Sequence, residues 1–96
     1  MVLTGREISL SINGNSVKSV KTMLIGDSAV KITNDPGLKV GNARIFAKMN
    51  DGKFLECDAI INDGNIDLLV IGAEFQVDIK DGYTGVGIIE TIFNVD

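Results

Sequence analysis

Apolar and polar residues alternate with a period of two along most of this chain. The alternation is clearest at residues 8–12, 43–49 and 75–79. A β-strand points successive side chains to opposite faces, so this period is typical of strands that bury one face. No stretch of a dozen residues shows a convincing period near 3.6, the helical value. The pattern therefore predicts a chain that is β almost throughout.

Turn dipeptides separate the apolar runs. Glycine tolerates a positive φ, and Asn or Asp tolerates it better than most residues, so Asn-Gly and Asp-Gly pairs favour tight hairpins. The dipeptides are Asn13-Gly14, Gly26-Asp27, Pro36-Gly37, Asp51-Gly52, Asp63-Gly64 and Asp81-Gly82. Strands are predicted between them, at residues 6–12, 16–25, 28–33, 42–49, 53–61, 65–71, 74–79 and 84–95. The last strand has apolar residues on both faces, which predicts a central position in the sheet. A short helical turn is predicted near Gly72-Ala73-Glu74.

Short strands at this spacing within 96 residues predict one small domain. We expect a single immunoglobulin-like β-sandwich of about seven or eight antiparallel strands that covers residues 1–96. The Cys…Trp…Cys signature of true immunoglobulin domains is absent, because the chain has one Cys and no Trp. The prediction therefore concerns the all-β architecture alone.

The composition excludes several kinds of chemistry. The chain has no His and a single Cys, which excludes histidine-dependent catalysis, an internal disulfide and a zinc site built from cysteines. It carries 9 Lys and Arg against 13 Asp and Glu, and this net charge of -4 disfavours nucleic acid as a partner. We expect no catalytic residues, no cofactor and no metal ligand set.

The apolar runs are short. The longest, such as Leu68-Leu69-Val70-Ile71, fall far below the roughly 20 residues that span a bilayer, so membrane insertion is not expected. The first residues lack the basic and apolar regions of a signal peptide. With one free Cys, a reducing cytoplasm is the expected compartment.

The Asn- and Asp-rich corners and Cys57 could in principle bind metal or catalyse a reaction, but a structural role explains each of them better. The side-chain oxygens of Asn50-Asp51-Gly52 and Asn62-Asp63-Gly64-Asn65 are adjacent, whereas an EF-hand calcium loop needs them at alternate positions. Such segments are typical of hairpin corners, and a calcium site shared between two loops is the alternative. Cys57 lies on the apolar face of its strand, and its neighbours Glu56 and Asp58 oppose thiolate formation. We therefore expect a buried structural Cys rather than a nucleophile.

Candidate interface residues come from the few aromatic side chains. Most of them are in phase with the strands and are expected in the core, but Phe46 shares a strand face with Arg44 and Lys48. An exposed Phe between two cations predicts an interface anchor, and the alternative is that both faces of this strand are partly covered. Tyr83 follows a corner at the start of the last strand. Its hydroxyl is expected to bond a backbone carbonyl, with a binding role as the alternative.

A series of short motifs follows in order from about residue 8 to residue 93. They are an N-terminal strand pair, Val20-Lys21-Thr22, Gly26-Asp27-Ser28, Val40-Gly41-Asn42-Ala43-Arg44-Ile45-Phe46-Ala47-Lys48, Asp51-Gly52 and Gly82-Tyr83. In these motifs the chain resembles the immunoglobulin-like N-terminal domain of phage upper baseplate proteins, found in tailed phages of Gram-positive hosts. The resemblance implies a virion structural module that docks to neighbouring subunits and has no catalytic residues. Its location would be the cytoplasm during assembly and the virion tail afterwards.

The function expected first is a non-catalytic structural or interaction module, a phage tail or baseplate component that acts by protein–protein assembly. Its partners would be other virion subunits and copies of itself, through sheet edges or faces. The alternative is a carbohydrate- or cell-surface-binding β-sandwich, against which the scarcity of exposed aromatic residues argues. A small enzyme is disfavoured, because no nucleophile–base pair can be assembled without His.

Overall fold

The computed structural model describes residues 2–3, 7–27 and 37–95. These residues form eight strands, each antiparallel to its neighbours, and one short 3₁₀ helix. The elements are β1 (Val2–Leu3), β2 (Ile8–Ile12), β3 (Asn15–Val17), β4 (Ser19–Gly26), β5 (Gly41–Met49), β6 (Phe54–Ile61), the 3₁₀ helix (Ile66–Leu68), β7 (Glu74–Ile79) and β8 (Thr84–Asn94). The prediction of a small all-β, sandwich-like fold with seven or eight antiparallel strands is confirmed. The strand predicted at residues 28–33 lies outside the described residues.

The strands that the structure describes belong to one continuous sheet, in the order β1-β4-β6-β5-β8-β7-β2-β3. β3 and β4 lie near opposite ends of this order, although only Lys18 separates them in the chain. The Lys18 carbonyl accepts a hydrogen bond of 2.9 Å from the amide of Ile60 in β6, so the chain passes from one end of the sheet to the other at this point. The sheet is therefore folded over, with one face enclosed and one face outside.

The enclosed face is apolar on every long strand. Burial alternates residue by residue along β5, β6 and β7, as the period of two predicts. The largest enclosed side chains include Phe75, Ile45, Leu55 and Ile89, all 0% exposed. Each such burial is worth about 1.5–3 kcal/mol, so this interior supplies the main favourable term in folding. β8 lies between β5 and β7, which confirms its predicted central position.

The turns agree with the prediction from Asn-Gly and Asp-Gly pairs. Asn13 and Gly14 have positive φ angles of 51° and 82° and join β2 to β3 by a two-residue hairpin. Asn13 also holds β7 in place, since its amide donates to the Glu74 carbonyl and its Oδ1 accepts from the Glu74 amide. Asp51-Gly52 lies in the corner between β5 and β6, and Asp81-Gly82 lies between β7 and β8.

The prediction of a strand at residues 65–71 is wrong. Residues 66–68 form the 3₁₀ helix, and the helical turn predicted near Gly72-Ala73-Glu74 is also wrong, because Glu74 already begins β7. Val70 and Ile71, which the apolar run placed in a strand, are 49% and 48% exposed.

Two asparagines explain why the chain turns here. Asn65 is buried, its Oδ1 accepts from the Asn62 amide at 2.9 Å, and its Nδ2 donates to the Ile60 carbonyl at 3.2 Å. The Oδ1 of Asn62 in turn accepts from the amides of Gly64 and Asn65. These side chains satisfy backbone groups that a ladder would otherwise pair, which favours a turn over a strand.

Candidate interaction face

The outward positions of the three central strands form one continuous surface. β5 pairs with β6 on one side and with β8 on the other, and alternate residues of each strand point away from the enclosed core. We call this surface the aromatic face, because it holds three of the four phenylalanines of the chain. Its members are Phe54, Glu56 and Asp58 on β6, Arg44, Phe46 and Lys48 on β5, and Ile88, Thr91 and Phe93 on β8.

The strand register arranges the aromatic face in three rows across β6, β5 and β8. The rows are Asp58–Arg44–Phe93, Glu56–Phe46–Thr91 and Phe54–Lys48–Ile88. Residues directly opposite on neighbouring strands have Cβ atoms about 5 Å apart, so side chains within one row interact. The face therefore combines aromatic, aliphatic and charged groups at contact distance.

Phe46 and Phe93, which lie in neighbouring rows of the aromatic face, form a stacked pair. Their ring centroids are 5.9 Å apart, and the planes differ by 25°. Both side chains are half-buried, although they lie on the outer side of the sheet. Thr91, in the same row as Phe46, is 0% exposed. The pair thus forms a small apolar cluster outside the main core.

Arg44 is held beside these rings by two carboxylates of β6. Its Nε lies 2.8 Å from Asp58 Oδ1 and 3.5 Å from Glu56 Oε1, and its Nη2 lies 3.5 Å from Asp58 Oδ2. The hydrogen bond with Asp58 raises the pKa of the guanidinium above its ordinary value. Arg44 therefore presents a fixed, permanently charged planar group at one end of the face.

The other end of the aromatic face is apolar around a single ammonium. Lys48 Nζ lies 6.0 Å from the centre of the Phe54 ring, within the range of a cation–π contact. Ile88, opposite Lys48 on β8, is 46% exposed. Exposed aliphatic side chains continue this surface on both sides, with Leu24 opposite Glu56 on β4 and Val86 further along β8.

The structure brings Arg44, Phe46 and Lys48 together as expected and adds two rings that were assigned to the core. Phe54 could have been identified, because it is one residue out of phase with the buried Leu55. Phe93 could not, because the register of β8 against β5 shifts at Glu90 and reverses which residues face outward beyond it.

Tyr83 lies apart from the aromatic face. Its hydroxyl donates a hydrogen bond of 2.9 Å to Asp51 Oδ2. The prediction that the hydroxyl bonds a backbone carbonyl is therefore wrong, because its partner is a carboxylate. Its ring covers Gly85, where a Cβ atom would lie 2.6 Å from the Tyr83 hydroxyl oxygen. Burial and the bond to Asp51 raise the pKa of Tyr83 to about 12, and a hydrogen bond from the Lys53 amide lowers the pKa of Asp51. Tyr83 thus ties two corners of the sheet together.

Cys57 and the acidic side chains are the remaining candidates. Cys57 is 1% exposed, as expected, and burial raises the pKa of its thiol. Within residues 7–27 and 37–95, no cluster of three or more His, Cys, Asp or Glu could hold a metal ion. No helix in the described part of the chain is long and apolar enough to cross a bilayer.

A shallow polar groove of about 230 Å³ lies on the outer side of β2, β3 and β7. Its walls offer hydroxyl, amide and carboxylate groups, and Asp78 also accepts a hydrogen bond of 2.8 Å from the Thr84 hydroxyl. The lining residues are Ser9, Leu10, Ser11, Ser16, Gln76 and Asp78.

No protein-family model, curated protein or solved structure matches this chain. The resemblance to phage upper baseplate proteins therefore stays a prediction.

Proposed function

We propose that this protein is a non-catalytic interaction module that docks to other proteins through the aromatic face. The observation that carries the proposal is the stacked pair of Phe46 and Phe93 on the outer side of the sheet, beside the ion-paired Arg44. Aromatic residues and Arg are enriched among the residues that dominate binding energy at protein interfaces. Half-buried rings also gain further burial when a partner covers them.

We further propose that the setting is a phage tail or baseplate, in which the module assembles with other virion subunits. The support for this setting is the ordered set of motifs between residues 8 and 93, together with a small all-β fold.

Pairwise binding measurements with the products of neighbouring reading frames test the proposal. Phe46→Ala and Phe93→Ala are expected to weaken binding by about 30-fold each, which corresponds to the roughly 2 kcal/mol of an interface hot spot. Gln76→Ala, on the outer side of β7, is the matched control and should bind like the unchanged protein. Full binding by both Phe variants, each shown to be folded by circular dichroism, would exclude the aromatic face as the docking surface.

A second candidate function is binding of a cell-surface carbohydrate in the groove of β2, β3 and β7. The hydroxyl, amide and carboxylate groups of that groove favour it, since sugar hydroxyls pair with such groups. A glycan array separates the two functions. Carbohydrate binding predicts signals that Gln76→Ala removes and Phe46→Ala leaves intact, whereas an array without signals rejects this function.

A further inference from the structure

The aromatic face separates its charges by strand. On β5 the charged residues are the cations Arg44 and Lys48, and on the neighbouring β6 they are the acids Glu56 and Asp58. Paired strands lie about 4.8 Å apart, so a cationic column and an acidic column run side by side. Such a surface is complementary to a copy of itself in one orientation only.

The orientation follows from comparing the two symmetric arrangements that keep the strands of both copies aligned. A two-fold axis parallel to the strands, between β5 and β6, places β5 of each copy over β6 of the other. By the register of these strands, Arg44 of each copy then faces Asp58 of the other, and Lys48 lies over Phe54 with Glu56 as its diagonal neighbour. A two-fold axis perpendicular to the strands in the plane of contact places β5 on β5 and β6 on β6, so like charges meet. Like-charge contacts at an interface are costly, and the first arrangement is selected.

We propose that the aromatic face binds a second copy of this chain about a two-fold axis parallel to β5 and β6. The proposal rests on the docking role of this face and names its partner. Phe46 and Phe54 occupy the same two columns as the charges, so their rings are covered in the same contact. Such an interface is isologous and closes at two copies.

The size of the aromatic face predicts weak association. Three or four strands at about 4.8 Å, over some five residues at about 3.3 Å each, cover a few hundred Å² on each copy. A stable complex typically buries about 800 Å² on each partner. We therefore expect a dissociation constant between micromolar and millimolar, with monomers in dilute solution and dimers in concentrated solution.

Sedimentation equilibrium and amide NMR spectra of the unchanged protein, from micromolar to about 1 mM, give the first test. The expected result is a monomer–dimer equilibrium, with concentration-dependent amide shifts on β4, β5, β6 and β8, because the two-fold axis places β8 of one copy over β4 of the other. Added salt should weaken the dimer, because it screens exposed charge pairs. A chain that stays monomeric throughout this range, or whose shifts lie on other strands, overturns the proposal.

Charge reversal gives the second test. Lys48→Glu and Glu56→Lys should each weaken self-association about tenfold or more, because each places like charges across the contact. An equimolar mixture of the two variants should regain association, since the reversed residue of one copy then lies near the reversed residue of the other. A mixture no stronger than either variant alone overturns the two-fold arrangement.

The two proposals fail separately. A monomeric protein that still binds a different partner, and loses it on Phe46→Ala, retains the docking function and has no self-association. A chain that forms the dimer but shows no Phe46-dependent binding to other proteins retains self-association and lacks the docking function toward other proteins. Circular dichroism of each variant confirms that the compared chains are folded.

Discussion

Replacing Gly87 by Ala tests how closely β5 and β8 pack at the centre of the sheet. A Cβ atom at this position would lie 2.2 Å from the Lys48 carbonyl oxygen and 2.6 Å from Met49 Cα. Both are backbone atoms, so no side-chain rotation relieves the contact. Favourable contact begins near 3.5 Å, so the two strands must separate by about 1 Å.

The cost of that separation can be worked out from two contributions. Overpacking of a close contact typically costs about 1–3 kcal/mol. The hydrogen bond of 2.7 Å from the Asn50 amide to the Val86 carbonyl lies next to the site, and its weakening adds about 1 kcal/mol. We expect Gly87→Ala to lower the free energy of unfolding by about 2–4 kcal/mol, or the melting temperature by roughly 10–30 °C. Urea and thermal unfolding followed by circular dichroism measure both quantities.

Gly26→Ala, in β4, is the matched control. A Cβ atom there meets no heavy atom within 4 Å, and the residue has no positive φ. Its free energy of unfolding should stay within about 0.5 kcal/mol of the unchanged protein. If Gly87→Ala proves as stable as Gly26→Ala, the close approach of β5 and β8 and the reasoning from it are refuted.

Three further outcomes follow from buried or bonded side chains. Cys57 should resist a thiol reagent in the folded protein and react fully after unfolding in urea, because burial raises its pKa. The pKa of Tyr83 is raised to about 12 in the folded chain from an ordinary 10.0, so its contribution to stability is complete below about pH 10 and is lost as the pH rises through about 12. Urea unfolding measured between about pH 10 and pH 12 should show this loss of stability in the unchanged protein and not in the Tyr83→Phe variant. Asn65→Ala leaves the Asn62 amide and the Ile60 carbonyl without their partners and should cost about 1–3 kcal/mol in urea unfolding.

The elements that sequence predicts well are those set by local patterns. The alternation along β5 and β6 identifies their inward residues one by one, because a strand buried on one face permits few other arrangements. The Asn13-Gly14 hairpin follows from the left-handed backbone that this pair tolerates. Arg44 and Phe46 could be placed on one outward face for the same reason.

The features that sequence missed depend on contacts between distant segments. Phe93 faces outward because β8 shifts its register at Glu90 against β5, and nothing in the local sequence marks that position. The apolar run at residues 68–71 carries a strand composition, yet Asn65 ends the sheet before it through bonds to β6 and to Asn62. The approach of Lys18 to Ile60, which closes the sheet, joins residues that are far apart in the chain.

The closure at Lys18 also determines how the sheet is protected from other chains. An unpaired strand edge offers free N–H and C=O groups to which neighbouring molecules can add strands. Here β4 covers the edge of β6, and β2 covers the edge of β7, so both edges depend on residues 8–26. A proteolytic cut in that segment, or its late arrival during folding, would uncover two long strands at once. Damage to residues 8–26 would therefore convert this protein from a self-contained unit into a template for aggregation.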